Sequence, residues 1–212
     1  NEEGAKAVAA ALPKAIAVRT DVSDEASVKA MVTAAVDAYG KLDVLLNNAG
    51  TINTSRKTTV DGFEETLAVN HFAPFLLTGL LLPVLQQTPG ARIVSVASDA
   101  HAFVKGMGFE DMQATKNYKT FREYGRSKLA NILFTRRLAK LLKGQDVTVN
   151  CLHPGAVATS LGSQNGFFGK MVPLLLKPFF RSPEQGAQTS IYLCTSDEVA
   201  GISGEYFVNC KR

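Results

Sequence analysis

Cysteine is scarce: three in 212 residues, at Cys151, Cys194 and Cys210, an odd number with no Cys-x-x-Cys spacing. That excludes a disulfide framework and a thiolate zinc site, and the apolar neighbours of each thiol suit buried cysteines in a reducing compartment. Long apolar runs are missing too. The greasiest stretch, Phe72 to Leu85, contains Pro74, Thr78 and Pro83 and falls short of the about 20 residues a membrane-spanning helix needs, so it reads as a buried helix. The polar start, Asn1-Glu2-Glu3-Gly4, has no apolar signal region, which makes the cytoplasm the expected location. Nor is charge gathered into blocks. The 23 Lys and Arg are dispersed among 19 Asp and Glu, which leaves no basic patch for nucleic acid but remains compatible with small anionic ligands.

What the chain does have is 46% hydrophobic residues, enough for one globular domain covering residues 1–212. Short β-branched runs alternate with long helical ones. Strands are expected at Ala15–Thr20, Leu42–Leu46, Arg92–Val96, Val147–Leu152 and near Tyr206–Val208. Helices are expected over Asp24–Tyr39, capped by Ser23 or Asp24, then over Thr59–Leu85, Phe121–Leu142 and Pro183–Leu193, with an irregular segment from Asp99 to Thr120. Strands separated by helices predict an α/β fold, a parallel sheet covered on both faces. Ligands in such sheets bind at the carboxyl ends of the strands. Asn47 to Gly50, Ser98 and Pro154-Gly155 all follow strands and would share that edge.

Tyr124 and Lys128 stand four residues apart in the longest helix, so both side chains share one face. A tyrosine works as acid or base near neutral pH only if its pKa falls from about 10 towards 7, which needs roughly 4 kcal/mol of preferential phenolate stabilisation. An ammonium about 4 Å away in a partly dry site supplies roughly that amount. The alternative is a solvated helix face with the tyrosine resting on a lysine stem, and the bare pattern does not separate the two.

Other residues accompany the pair in a fixed order. Asn47-Asn48-Ala49-Gly50 follows a strand, Asn70 lies in Val-Asn-His, Ser98 ends the next strand, Tyr124-x-x-x-Lys128 comes after it, and Pro154-Gly155-Ala156-Val157-Ala158-Thr159 closes the series. The ordered set resembles the short-chain dehydrogenase/reductase family, in the subgroup similar to retinol dehydrogenases and their bacterial relatives. The resemblance implies a Rossmann-like, doubly wound, three-layer α/β/α domain that moves a hydride between a nicotinamide cofactor and a carbonyl or alcohol. It casts Tyr124 as proton donor or acceptor, and Lys128 as the cation that lowers the tyrosine pKa and bonds the cofactor ribose. Ser98 would hold the substrate oxygen, with Ser95 as the competing serine. Asn70 would hold a water beside Lys128, unless it is a hydrogen-bonding residue between helices. Asp21 and Val22 would sit beside the adenine, with Asp21 alternatively part of a helix start. Asn48, Ala49 and Gly50 would shape the backbone near the cofactor, and Pro154, Gly155, Val157 and Thr159 would hold the nicotinamide. His71, His101 and His153 have no metal-ligand spacing and are read as structural, although His101 is near enough to Ser98 to line the pocket.

The chain departs from the family pattern twice. Ser98 and Tyr124 are separated by 124 − 98 = 26 residues, longer than the family's usual spacing, and the resemblance makes Phe103 to Tyr118 an inserted pocket wall. No Gly-x-x-x-Gly-x-Gly phosphate loop is present. The family places that turn within an N-terminal β-α-β unit missing here, so the chain is expected to be part of a longer protein, to bind the dinucleotide poorly by itself, and to leave sheet edges unpaired. NADP is favoured over NAD by the subgroup resemblance. Gly166 to Phe180 falls where the family has a substrate lid; its apolar bulk implies a lipophilic substrate, and Lys170, Lys177 and Arg181 suit peripheral membrane contact, the alternative being an ordinary flap. The helices holding Phe72–Leu85 and Asn131–Leu142 are apolar around more than one face, which predicts a homodimer. A non-catalytic scaffold of the same fold is the rival reading.

Overall fold

A computed structural model describes residues 2–20, 25–157 and 180–212. Among them a parallel sheet runs in the order β1 (Val44–Asn47), β2 (Ala91–Val96), β3 (Val147–His153), β4 (Tyr206–Val208). Asn47 is level with Ser95, Ser95 with Cys151, and Cys151 with Tyr206, so the carboxyl ends of β1 to β3 form one edge. The helices are α1 (Glu2–Ala10), α2 (Glu25–Tyr39), the single turn α3 (Glu65–Leu67), α4 (Ala73–Leu85), α5 (Thr120–Leu141) and α6 (Pro183–Thr195).

Strand alternation sends side chains to two separate cores. Leu45, Ile93 and Val149 face Leu81 and Leu85 of α4 and Leu138 of α5. Val94, Leu152 and Phe207 face Leu193 of α6 on the other side. A sheet buried on both faces is what near-continuous apolar strands require. Helix α6 starts cleanly because Ser182 and Gln185 form a reciprocal cap, with bonds of 3.2 and 3.0 Å.

Three expectations are corrected. Ala15–Thr20 is assigned to no strand and joins no ladder, and Ile16 and Val18 are 46% and 37% exposed. Among the described residues it has no strand beside it to take its hydrogen bonds, so the sheet begins at β1 rather than being split. The helix expected from Thr59 starts only at Glu65, because the buried Glu64 carboxylate accepts from the amides of Thr66 (2.8 Å) and Leu67 (2.7 Å) and acts as the N-cap. A π turn, Ala68–Phe72, then widens the helix, with the Ala73 amide reaching the Ala68 carbonyl. Finally, α4 is buried on one face only. Leu81 and Leu85 are in the core while Phe75 and Leu76 are 55% and 48% exposed. Taken together, Glu65–Leu85 reaches 21 residues at a mean hydropathy of 1.6, long and apolar enough by composition to cross a membrane.

The expected Ser23 or Asp24 cap lies outside the described residues. The irregular segment after β2 holds two 3-10 turns, Asp99–Phe103 and Phe109–Asp111.

Candidate active site

The carboxyl edge of the sheet opens into a cleft of about 850 Å³. Asn48, Ala49 and Gly50 line it after β1, Ser98 after β2, and Pro154, Gly155 and Val157 after β3; Tyr124 and Lys128 enter from α5. These are nine of the residues singled out in the sequence. Asp21, Val22, Thr159 and the apolar segment 166–179 lie outside the described residues, and Asn70 is fully buried behind the cleft wall.

Asn70 ties the site together. Its amide donates to the Thr51 carbonyl and the Ser127 hydroxyl, both at 2.9 Å, and its oxygen accepts from the Thr51 amide at 2.7 Å. Its backbone carbonyl, which finds no amide proton four residues on because residue 74 is Pro74, accepts from Asn131 at 2.9 Å. The side chain thus joins the turn after β1 to α5, as the helix-bridging alternative required. π turns recur at functional sites.

Ser98, in extended backbone, ends at the cleft, whereas Ser95 is buried near Asn47 at 3.5 Å. The Ser98 hydroxyl donates to Asp99 Oδ1 at 3.1 Å and accepts the Ala100 amide at 3.2 Å. Ser98 and Tyr124 line the same cleft. His101 does not line the cleft: its Nδ1 is 2.7 Å from the Ser98 carbonyl, and its ring meets Tyr206 edge-on.

Lys128 is buried, gives one bond to the Val96 carbonyl at 3.0 Å, and lies 5.6 Å from the centroid of the Tyr124 ring. Burial pulls its pKa down to about 8. The phenol of Tyr124 moves the other way. Desolvation raises it, the Ser98 hydroxyl opposes that, and the charge of Asp99 adds to the rise. The expected depression of Tyr124 by its lysine is therefore corrected, because the ammonium is directed at a carbonyl rather than the phenol oxygen.

The cleft also answers whether a nicotinamide nucleotide fits. An ammonium has three protons, and Lys128 has protons to offer beyond the one given to Val96. Gly50 keeps the space beside it clear: a Cβ there would lie 3.5 Å from Nζ and 3.3 Å from Asn70 Oδ1. Donors facing open volume suit the hydroxyls of a ribose. The donor set and space at this end match; no glycine-rich turn for the pyrophosphate occurs in the sequence.

Residues 1–166 match the family model described as short chain dehydrogenase. The chain belongs to the short-chain dehydrogenase family. Within that family it is 45% identical to human retinol dehydrogenase 14 over 200 residues, covering 91% of this chain and 58% of that protein. It is 42% identical to mouse retinol dehydrogenase 12 over 194 residues, covering 92% and 61%. The chain thus spans about three fifths of the length of these curated relatives. Among solved structures, a 3-ketoacyl-(acyl-carrier-protein) reductase from Brucella melitensis complexed with NADH superposes with a TM-score of 0.73 at 26% identity, covering 98% of this chain and 82% of that one. A short-chain dehydrogenase from Burkholderia cenocepacia in complex with NADP gives 0.72 at 26% identity, covering 97% and 80%. The Rossmann-like sheet expected from the sequence is the fold of this dehydrogenase family.

Several site residues escaped the sequence reading. Ser127 donates to the Tyr124 carbonyl at 2.7 Å while accepting from Asn70, and Asn131 bridges Asn70 and His71. With Tyr124 and Lys128 they form a polar stripe at helical spacing on the inward face of α5, and that stripe was the available signal. Asp99 and Arg126 carried no such signal.

Proposed function

We propose that this dehydrogenase interconverts a lipophilic carbonyl compound and its alcohol with a nicotinamide cofactor, NADP in preference to NAD. The observation that carries the reading is the convergence of Ser98 and Tyr124 on one cleft beside a buried ammonium. The named relatives are retinol dehydrogenases, and two structural neighbours hold NADH and NADP.

Bound nicotinamide supplies or accepts the hydride. Every other part of the chemistry falls to the chain. The substrate oxygen is placed between the Ser98 and Tyr124 hydroxyls, which fixes the reacting carbon in the cleft. In reduction Tyr124 gives its proton to that oxygen as charge develops there, and in oxidation it removes the alcohol proton. Lys128 holds the ribose hydroxyls with its uncommitted protons. Asn48, Ala49, Pro154, Gly155 and Val157 supply cleft walls.

Homodimerisation is proposed on the outward faces of α4 and α5, where Phe75, Leu76, Leu133 and Leu141 are 55%, 48%, 46% and 58% exposed. A cytoplasmic location with peripheral membrane contact suits the free cysteines and a lipophilic substrate.

Tyr124→Phe in the full-length protein tests the reading. Turnover of aldehydes, ketones and alcohols should vanish while reduced-cofactor fluorescence still reports binding. A variant that keeps its turnover would remove the proposed proton donor.

A further inference from the structure

Two side chains behind the cleft decide where Asn70 sits. Asn131, buried on α5, donates from its side-chain amide to the Asn70 carbonyl at 2.9 Å. Pro74 offers that carbonyl no helical donor, so the bond fills a gap that the sequence itself creates. With the Asn131 amide turned the other way, two carbonyl oxygens would oppose each other at the same distance. Its oxygen therefore faces His71, whose Nδ1 is 3.0 Å away.

An amide oxygen can only accept. His71 must then donate from Nδ1, which puts the proton of the neutral ring on that nitrogen and the lone pair on Nε2. Burial pulls the imidazole below its ordinary pKa, with the Asn131 bond opposing, so the ring is neutral at physiological pH. Phe72, Phe75 and Phe134 enclose it, with ring centroids 5.8, 6.1 and 6.2 Å from its own. Those contacts fix the ring in space but do not distinguish its two nitrogens. The Asn131 oxygen does.

The row of bonds ends at the cleft. The Asn70 side chain holds both the amide and the carbonyl of Thr51 and, on its other side, the Ser127 hydroxyl. Its Oδ1 lies 3.3 Å from where a Cβ on Gly50 would stand, and Lys128 Nζ lies 3.5 Å from the same point. Asn48, Ala49 and Gly50 are cleft wall, so a shift of Asn70 moves the surface against which a ribose would lie.

We propose that Asn131 and His71 are positioning residues for the cofactor: the Nδ1–H imidazole orients the Asn131 amide, which holds the Asn70 carbonyl and thereby sets the turn 48–51 for the nucleotide. This rests on the cleft being the site of the nicotinamide nucleotide, as proposed above.

The test uses the full-length protein and two readouts. Nitrogen NMR of isotope-labelled histidine, with His71 assigned by its loss in His71→Asn, should show the Nδ1–H form for His71 in the parental protein and a return towards the Nε2–H form in Asn131→Leu, where the acceptor is gone. The Nε2–H form in the parental protein would overturn the proposal. The second readout is reduced-cofactor Kd by fluorescence together with KM and kcat. Asn131→Leu keeps the volume and removes both bonds; it should raise cofactor Kd and KM roughly five- to tenfold, the equivalent of one net hydrogen bond, and leave KM for the carbonyl substrate within about twofold at saturating cofactor. His71→Phe keeps the aromatic packing and removes only the outer bond, and should give a smaller rise of the same kind. His71→Asn, which carries an N–H at nearly the place of Nδ1, should restore the parental values. If Asn131→Leu does not fold, His71→Phe and His71→Asn decide. Unmoved cofactor Kd in the folded variants, or a fall in kcat and Tm without a change in cofactor Kd, would overturn the role of both residues. Failure of the parental protein to bind reduced cofactor would instead overturn the reading on which the proposal rests.

Discussion

The ammonium of Lys128 stands 5.6 Å from the centre of the Tyr124 ring and bonds the Val96 carbonyl at 3.0 Å. This placement serves binding at the expense of the fold. Burial lowers its pKa from 10.5 to about 8, so the folded protein holds this proton less tightly than the unfolded chain does. Below about pH 8 the charged form costs stability, on the order of 3 kcal/mol, and the cost is relieved as pH rises from about 8 towards 10.5. Lys128→Met should therefore stabilise the protein at neutral pH by up to about that amount, with the gain fading above pH 10. Urea denaturation at several pH values measures it, and turnover should fall in the same variant. Equal or lower stability at pH 7 would show that the ammonium is not held at a cost.

A second prediction concerns the wall of the pocket. Arg126, almost fully buried, donates to the carbonyls of Met107 (2.7 Å), Gly108 (2.9 Å) and Asp111 (3.0 Å), and pairs with the buried Glu123 at 2.6 Å. Arg122 joins from outside, bonding Glu123 at 2.6 Å and the Asn117 carbonyl. The segment between β2 and α5 is thereby fastened to the turn of helix that carries Tyr124. Arg126→Met would strip the Met107 carbonyl of its Arg126 donor, leave the Gly108 and Asp111 carbonyls with the amides of Asp111 and Ala114 alone, and leave Glu123 with only its outer partner. A loss of about 2 to 4 kcal/mol is expected, since breaking a buried pair from one side is costly. Limited proteolysis should cut between residues 104 and 119 before the rest of the domain, and KM should rise more than kcat falls. Cleavage elsewhere first would mean that the wall is held by other contacts, such as the bond of 2.6 Å from the Glu64 amide to Gln113.

How legible all this was depended on whether a residue's partners were near in sequence. Val147–Leu152 and Arg92–Val96 read as strands because continuous burial leaves an apolar run, and both are there within a residue. Ser98, Tyr124 and Lys128 were legible because their order and spacing belong to a family pattern. Ala15–Thr20 reads equally well as a strand, yet strand formation is settled by a neighbour and no local pattern shows one. The Glu64 cap was hidden because glutamate is not among the usual N-cap residues, and only the burial of its carboxylate decides where the helix starts. Asp99 reads as an ordinary turn residue after a strand. Its hold on Ser98 depends on His153, 54 positions away, turning an edge towards it. The lysine was assigned a pKa effect from spacing alone, and spacing cannot show which oxygen an ammonium faces.

The last prediction tests the contact that sets Tyr124 against Ser98. Gly125 lies in α5 where the Asp99–Phe103 turn crosses it, and a Cβ at that position would come 2.5 Å from the Ala100 carbonyl oxygen and 3.2 Å from Val104 Cγ1. Alanine is the better helix former by about 1 kcal/mol, so the substitution has something to gain. The clash should still win, because the atom in the way is backbone and the turn it belongs to is anchored through Ser98 and His101. A net loss of about 1 to 3 kcal/mol is expected for Gly125→Ala. Ser98 would be pushed away from Tyr124, and kcat should fall about tenfold or more, since a displacement approaching 1 Å at reacting groups costs that much or more. Gly79→Ala is the matched control: it is also helical but exposed, and has nothing within 4 Å of the added carbon. There the same substitution should stabilise by about 0.5 to 1 kcal/mol and leave kcat alone. Thermal denaturation and initial rates on the two variants give opposite signs if the approach of Ala100 to α5 holds the two hydroxyls together, and the same sign if it does not.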